Sequence, residues 1–250
     1  MVILGSGYTG RCLRDILGSR GYIPISTRRS PGADVLFDLH DPQTWDNVPS
    51  ARGAIWTFPA EPPEAVSAFS GVLFEKVDRV VVIGTTSSYR TGKKGEITNS
   101  DTPLNETLPR VQGEEHLRGR GAIVLRSSGI YGPGRNPLDW LRRGLVRDVS
   151  RMVNLIHVED LSMCILAAME RGALGSSFVV SDGTPRQWKD ITEWGIRSGY
   201  LKGLPDAPGG SPPSRLIDNT KLIDELHPEL THLDLFRELF LLEQHSPQPS

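Results

Sequence analysis

The sequence has few of the features that mark disulfide-rich, membrane-spanning or nucleic-acid-binding proteins. Its 250 residues contain two cysteines, Cys12 and Cys164, which are too few for a disulfide framework and lack the C-x-x-C spacing of a metal or redox site. No apolar run is long enough to span a bilayer. The 28 lysines and arginines do not outnumber the 30 aspartates and glutamates, so the net charge of −2 offers no basic excess for nucleic acid. We therefore expect no membrane span, no nucleic-acid partner and two buried thiols.

The length suits one large α/β domain, or a nucleotide-binding domain with a small appendage. An apolar segment follows Met1 at once and reads as a first strand, so we expect no signal peptide. The expected location is the cytoplasm or the plastid stroma, with any transit peptide absent from this sequence.

The first half of the sequence alternates short apolar runs with amphipathic stretches. The apolar runs predict strands at residues 1–4, 22–27, 33–39, 53–58, 78–84 and 121–128. The amphipathic stretches predict helices at residues 8–19, 42–48, 63–75 and 106–118. Strands that alternate with helices form parallel sheets with right-handed crossovers. The expected fold class is therefore α/β, with a Rossmann doubly wound parallel sheet in residues 1–128.

The pattern changes after Ser128. Further helices are predicted at residues 138–146, 157–170, 221–226 and 233–242, with a late strand at 176–182 and an exposed loop at 204–214. These segments predict a small C-terminal substrate lobe over residues 129–244, interleaved with the core as a single structural unit. Residues 245–250 are expected to be a disordered tail.

A glycine-rich motif lies between the first predicted strand and the first predicted helix. In this Gly-x-Gly-x-x-Gly motif, the first glycine permits a tight turn, the second lets a diphosphate approach the backbone, and the third lets helix and strand pack closely. The N–H groups at the start of the helix attract an anion. The motif predicts a dinucleotide-binding loop formed by Gly5, Ser6, Gly7, Tyr8, Thr9 and Gly10.

The end of the second predicted strand indicates which dinucleotide is bound. NAD-binding chains usually carry a carboxylate there, about twenty residues beyond the glycine motif. This chain has Thr27, Arg28 and Arg29 instead. Guanidinium groups pair with a 2′-phosphate, which a carboxylate would repel. NADP(H) is therefore favoured, with NAD(H) as the alternative, although solvated surface arginines would give the same pattern.

Other strand ends supply further expected contacts with the cofactor. Asp38, with Leu39, ends the third predicted strand, where a carboxylate can accept the adenine amino group or cap a loop. Thr57 and Ser127 lie near the ends of the fourth and sixth predicted strands and are also assigned to the cofactor site.

Four segments together resemble the extended or atypical short-chain dehydrogenase/reductase superfamily, in its epimerase/dehydratase-like branch. They are GSGYTG at 5–10, VVVIGTTSSY at 80–89, LRSSGIYGPGRNPL at 125–138 and NLIHVEDL at 154–161. IYGPGRNPL followed by IHVEDL is the most specific pairing. The resemblance covers most of the chain up to about residue 182 and implies a Rossmann domain with a substrate lobe.

The resemblance also implies a catalytic set. In this superfamily a tyrosine transfers the proton, and a lysine four residues further along the same helix lowers the pKa of the tyrosine and holds the nicotinamide ribose. A hydroxyl at the preceding strand end orients the substrate carbonyl. Thr86 is the best match for that hydroxyl, with Thr85 and Ser87 nearby. Tyr89 or Tyr131 could supply a phenol from another direction, although the resemblance favours a packing role for Tyr131.

The tyrosine–lysine pair itself is absent. The expected positions hold Glu106 and Arg110, which at i and i+4 would share a helix face. A glutamate and an arginine at this spacing typically form a solvent-exposed ion pair on the helix surface. In the alternative interpretation Arg110 holds a ribose hydroxyl or an anionic substrate group, although arginine donates no proton at neutral pH.

Two functions remain open on the sequence alone. One is an NADP(H)-binding scaffold or redox-sensing subunit, which implies a protein partner. The other is an NADP(H)-dependent oxidoreductase or epimerase with a nonstandard acid/base set, acting on a small carbonyl or sugar-nucleotide substrate. No metal is expected, because the adjacent residues His157, Glu159 and Asp160 do not converge on one ion as they enter a helix.

Overall fold

A computed structural model describes residues 1–30, 32–90, 95–146, 148–203 and 215–245. The predicted loop at 204–214 lies outside the described residues. So does the predicted tail, except for His245, which is the last residue of a helix.

The described residues form strands and helices in the following order. The strands are β1 (Val2–Leu4), β2 (Ile25–Arg28), β3 (Val35–Leu36), β4 (Ala54–Trp56), β5 (Val80–Thr85), β6 (Ile97–Thr98), β7 (Ile123–Ser127), β8 (Gly129–Tyr131), β9 (Met152–Val153), β10 (Leu155–His157), β11 (Ser177–Val180), β12 (Arg186–Gln187) and β13 (Leu216–Ile217). The α-helices are α1 (Tyr8–Ser19), α2 (Pro63–Lys76), α3 (Pro109–Gly119), α4 (Pro137–Arg142), α5 (Val158–Arg171), α6 (Trp188–Arg197), α7 (Thr220–Leu226) and α8 (Leu235–His245). Short 3₁₀ helices lie at Pro42–Asn47 and Thr86–Ser88.

Seven of these strands form a parallel sheet in the order β11-β7-β5-β4-β1-β2-β3. The chain runs outward from β1 to β3 and then returns to the other side at β4. In doubly wound folds a ligand binds at this switch point, outside the carboxyl ends of the strands. The predicted α/β Rossmann architecture is confirmed.

The side chains of the strands alternate between two apolar clusters, one on each face of the sheet. Ile3 and Ile55 point to the face covered by α1 and α5. Leu4 and Trp56 point to the face covered by α2. Because the strands are buried on both faces, they appear in the sequence as continuous apolar runs rather than as alternating patterns.

The sequence predicted several elements with the wrong extent. Strand β2 begins at Ile25 rather than at residue 22, because Pro24 has no N–H for the ladder. Strand β3 ends at Leu36, so Asp38 and Leu39 follow the strand instead of ending it. The segment predicted as a helix at 42–48 forms the 3₁₀ helix Pro42–Asn47.

Helix α3 begins three residues later than predicted. Pro109 is its first residue, and Leu108 before it is extended, at φ −80° and ψ 124°. A proline fits the first helical position but disfavours the helical conformation in the residue before it. Glu106 therefore lies outside the helix.

The C-terminal half contributes both to the sheet and to a separate cluster. Strand β11 pairs with β7 at the edge of the main sheet. Residues of α4, α6 and α8 form a third apolar cluster that includes Leu138, Ile191 and Leu239. Within the described ranges, no helix is long and apolar enough to cross a membrane.

Candidate functional site

The glycine loop has the close contacts that its motif requires. Gly5 has a φ of +99°, and a Cβ there would lie 2.8 Å from the Thr57 hydroxyl oxygen. A Cβ on Gly10 would overlap the carbonyl oxygen of Gly5. Gly7 has open space where a side chain would be. These contacts fit a turn that brings backbone N–H groups up to a ligand.

The N-terminus of α1 is uncapped in the described structure. Gly7 is the N-cap residue, no side chain caps it, and the first turn carries no acidic residue. The free N–H groups and the helix dipole therefore favour an anion at this point.

Thr27 and Thr57 hold the loop in position. The Thr27 hydroxyl accepts a hydrogen bond from the N–H of Gly5 at 3.2 Å. The Thr57 hydroxyl lies 2.9 Å from the carbonyl oxygen of Leu4 and 3.0 Å from that of Gly5. Both threonines contact the protein backbone, so their role in the structure is to shape the loop.

A cavity of about 1140 Å³ opens beside this loop. It is bounded by the glycine loop, the end of β2, the segment after β3 and the segment after β4. Its lining includes the predicted residues Gly5, Ser6, Gly7, Gly10, Thr27, Arg28, Arg29, Asp38 and Leu39. Tyr8, Thr9, Thr57 and Ser127 lie outside the lining.

Four arginines line the cavity, two of which were not predicted from the sequence. Arg28 and Arg29 are exposed at the end of β2, and Arg11 and Arg14 reach the cavity from α1. Arg11 and Arg14 stand three residues apart on the helix, a spacing that could have revealed their common face. In the described part of the chain Arg11, Arg28 and Arg29 form no ion pair, so their charge is available to a ligand.

Arg14 differs because Asp34 neutralises it. The two side chains form an ion pair with an N–O distance of 3.0 Å. The same carboxylate accepts hydrogen bonds from the Ser26 N–H at 2.8 Å and from the Ser26 hydroxyl at 2.9 Å. These hydrogen bonds and the arginine lower the pKa of Asp34. The acidic group nearest the end of β2 is thus already bound within the protein.

The adenine side of the cavity differs slightly from the prediction. The Asp38 carboxylate accepts a hydrogen bond from the N–H of His40 at 3.0 Å, which is the loop cap considered as the alternative role. The carboxylate still borders the cavity, as do the rings of Phe37 and Phe58, whose centroids are 6.3 Å apart.

The predicted hydroxyl group lies just beyond β5. Thr85 is the last residue of the strand, and Thr86 opens the 3₁₀ helix. The hydroxyl oxygens of Thr85 and Ser87 are 3.1 Å apart. These three residues form a polar surface at the carboxyl edge of the sheet, as the resemblance implies.

Tyr89 faces the core. It is 1% exposed and packs with Val179 and Ile217. The Arg126 guanidinium lies over its ring at 5.6 Å, and burial raises the pKa of its hydroxyl. This position does not fit the prediction that Tyr89 supplies a phenol to the cleft.

The predicted pairing of Glu106 with Arg110 is wrong. Glu106 precedes α3, so the two residues do not share a helix face. The Nε of Arg110 pairs with the Glu114 carboxylate at 2.9 Å, and an Nη donates to the carbonyl oxygen of Ile83 at 3.1 Å. The proline at the start of α3 explains the difference.

Glu114 belongs to a buried ion network that was not predicted. Glu114 is 0% exposed and also binds the Nε of Arg126, which is 1% exposed, at 3.1 Å. Arg126 binds Glu115 at 2.6 Å, and Glu115 binds Arg118 at 2.6 Å. Arg126 lies inside a predicted buried strand, and this could have indicated the network, because a buried guanidinium requires a carboxylate partner. The network joins α3 to β7 where the resemblance places proton-transfer chemistry.

A second polar cluster lies at the start of α5. His157 caps the helix by accepting the N–H of Glu159 at 3.4 Å. Its ring stacks on that of His232, with centroids 3.8 Å apart and an interplanar angle of 26°. Ligand atoms of His157, Glu159 and His232 lie within 4.8 Å of one another. Asp160, the third acidic or histidine side chain at the start of this helix, accepts hydrogen bonds from the N–H groups of Thr231 and His232 instead.

The environment of His157 predicts a pH dependence of stability. Burial, followed by the charge of His232, lowers the pKa of His157 to about 3, from 6.5. Between these two values the unfolded chain binds a proton that the folded chain does not. The free energy of unfolding should therefore fall as pH drops from 6.5 towards 3, by up to about 1.4 kcal/mol per pH unit from this group.

The variant His157→Asn tests this, because asparagine preserves a helix-capping oxygen without the titrating ring. Urea unfolding at several pH values should show a weaker pH dependence in this variant, while the exposed His245→Asn variant should match the wild type. Equal slopes for His157→Asn and the wild type would contradict the prediction.

Comparison with known proteins gives the fold a wider context. No family model matches the chain. Protein YeeZ of Escherichia coli K12 is 24% identical over 193 residues, which are 64% of this chain and 69% of YeeZ. The structure of MoeE5 in complex with UDP-glucuronic acid and NAD matches with a TM-score of 0.81 at 15% identity, covering 98% of this chain and 99% of MoeE5.

A further match is a short-chain dehydrogenase/reductase superfamily protein from Agrobacterium tumefaciens with bound NAD. Its TM-score is 0.77 at 18% identity, covering 97% of this chain and 96% of the Agrobacterium chain. Similarity at these identities establishes the architecture. This chain has the Rossmann fold that these solved structures share, as its motifs predicted.

Proposed function

We propose that this chain binds NADP(H) and acts as a cofactor-binding scaffold or redox-sensing subunit. The observation that carries the proposal is the cavity that joins the uncapped start of α1 to Arg28 and Arg29. An anion-binding helix terminus suits the diphosphate, and the distal arginines suit a phosphate on the adenosine ribose. MoeE5 and the Agrobacterium protein, which share this fold, were both solved with NAD.

The preference for a 2′-phosphate has two supports. Arg28 and Arg29 have no carboxylate partner among the described residues, so a ligand phosphate would supply the negative charge that the protein does not. Asp34 follows β2, where an acid could hold ribose hydroxyls, but Arg14 and Ser26 already bind it.

The absence of a proton-transfer pair supports a binding role. Helix α3 carries neither tyrosine nor lysine, and its inner face is occupied by the Glu114 ion network. Tyr89 and Tyr131 are both buried, and burial raises the pKa of each phenol. A protein that binds the coenzyme without consuming it can respond to its concentration, and such a sensor requires a protein partner.

The hydroxyl group after β5 favours a second candidate. Thr85, Thr86 and Ser87 lie where the resemblance places the group that orients a substrate carbonyl. The second candidate is an NADP(H)-dependent oxidoreductase or epimerase acting on a carbonyl or sugar-nucleotide substrate, in line with the UDP-sugar bound to MoeE5. Incubation with NADPH and a substrate panel separates the candidates. Turnover that is lost in Thr86→Ala supports the enzyme, whereas tight binding without turnover supports the scaffold.

Calorimetric titration of the double variant Arg28→Ala/Arg29→Ala tests the coenzyme preference. We expect NADPH affinity to fall by about 10- to 100-fold, because each charge-assisted contact contributes roughly 1.5 kcal/mol. NADH affinity should change by less than about 3-fold, because NADH lacks the phosphate. The control Arg52→Ala removes an exposed arginine outside the cavity and should leave both affinities unchanged. Equal losses for the two coenzymes would contradict NADP(H) preference, and no heat with either would overturn dinucleotide binding.

A further inference from the structure

A second cationic site lies beyond the glycine cavity, against the loop that follows β5. One Nη of Arg215 donates to the carbonyl oxygen of Thr86 at 3.0 Å, and the other donates to that of Tyr89 at 2.7 Å. These bonds place the guanidinium at the carboxyl edge of the sheet, against the backbone of Thr86 and Tyr89. Ligands of doubly wound folds bind at this edge.

Arg151 directly precedes β9 and lies three residues before Asn154. Asn154, which follows β9, donates to the carbonyl oxygen of Arg215 at 3.0 Å and accepts the N–H of Ile217 at 3.0 Å. Burial, and then the positive charge of Arg151, lower the pKa of Arg215. The two guanidinium groups are therefore close enough to repel each other.

The charge of Arg151 is not balanced within the described part of the chain. Its guanidinium forms no ion pair there, and its buried Nε has no hydrogen-bond partner. Arg126 and Arg186, by contrast, each bind a carboxylate at 2.6 Å. A buried donor without an acceptor costs about 1–3 kcal/mol, and more when it is charged. An anion bound beside Arg151 would supply the missing acceptor and offset the repulsion.

We propose that Arg151 and Arg215 bind the carboxylate of a small oxo acid or hydroxy acid, whose neighbouring oxygen faces Thr86. The proposal rests on the proposed coenzyme function, because the site lies at the same carboxyl edge of the sheet as the glycine loop. Arg215 touches the backbone of Thr86 itself, so its ligand lies a few bonds from an oxygen held by the Thr86 hydroxyl. A carboxylate next to a carbonyl fits that separation. The diphosphate of a sugar nucleotide is separated from most sugar carbons by the width of the ring.

Binding of acids to the NADPH-loaded protein tests the site. The probes are 2-oxoglutarate and oxalate, with methyl pyruvate as the uncharged control and UDP-glucose as the diphosphate alternative. We expect both acids to bind and methyl pyruvate not to bind. In Arg151→Gln the acid affinity should fall at least about 10-fold, as expected for a lost charged contact. Arg151→Lys retains the charge and should retain part of the affinity.

Matched controls separate this result from other failures. Arg197→Gln removes an exposed arginine of α6 and should leave acid binding unchanged. NADPH affinity should be equal in Arg151→Gln and the wild type. If the wild type itself does not bind NADPH, the coenzyme function is refuted rather than the acid site. The acid site is refuted if neither acid binds to the NADPH-loaded protein, or if Arg151→Gln and Arg151→Lys bind acids as the wild type does. It is also refuted if UDP-glucose is the ligand whose binding depends on Arg151.

Discussion

Replacing Glu114 by glutamine should lower the free energy of unfolding by about 3–5 kcal/mol, the range measured when one partner of a buried ion pair is removed. Glu114 is 0% exposed and binds both Arg110 and Arg126. Glutamine has the same shape but no charge, so the buried Arg126 guanidinium would keep only Glu115. Urea denaturation followed by circular dichroism measures the loss.

Glu193 provides the matched control. It also lies between two cations, Lys189 at 3.7 Å and Arg197 at 4.0 Å, but on an exposed helix face. Glu193→Gln should therefore cost less than about 1 kcal/mol. The double variant Glu114→Gln/Arg126→Gln should recover part of the stability, because it removes the unbalanced charge. Similar losses for Glu114→Gln and Glu193→Gln would show that burial of the network has no energetic consequence.

Gly10→Ala should weaken NADPH binding by at least about 100-fold, the equivalent of about 2.7 kcal/mol. A Cβ on Gly10 would overlap the Gly5 carbonyl oxygen, so α1 must move away from β1 or the loop must open. Either change displaces the N–H groups that would hold the diphosphate. The same overlap should destabilise the fold by about 1–3 kcal/mol.

Gly18→Ala is the control on the same helix. A Cβ on Gly18 meets nothing within 4 Å, so alanine there should stabilise α1 by up to about 1 kcal/mol and leave NADPH affinity unchanged. Calorimetry and urea unfolding of both variants give the two quantities. Wild-type affinity in Gly10→Ala would mean that the loop does not bind the diphosphate.

The sequence predicted the elements that local patterns encode. Strands β1 and β5 appeared as continuous apolar runs because helices cover both faces of the sheet. Helix α1 was predicted from Tyr8 to Ser19, as observed. Helix α6 was missed, although Gln187 and Asp190 form a capping box at its start.

The parts of the candidate site that a single segment of the chain forms were predictable from the sequence. The glycine loop and the arginines after β2 are local motifs, and they line one cavity. Arg11 and Arg14 were missed because a helix residue reaches this cavity only after α1 docks on the sheet. Thr27 and Thr57 were assigned to the cofactor because of their place at strand ends, and only the contacts with the loop backbone showed their structural role.

The sequence alone determined the alternating strands of the parallel sheet in residues 1–128, the glycine-rich loop and the absence of a tyrosine–lysine pair, since each depends on neighbours within a few residues. Tertiary structure decided what replaces that pair. Glu114 meets Arg126 across segments that periodicity does not relate. Charges buried far apart in the chain find partners only when the sheet and its covering helices close around them.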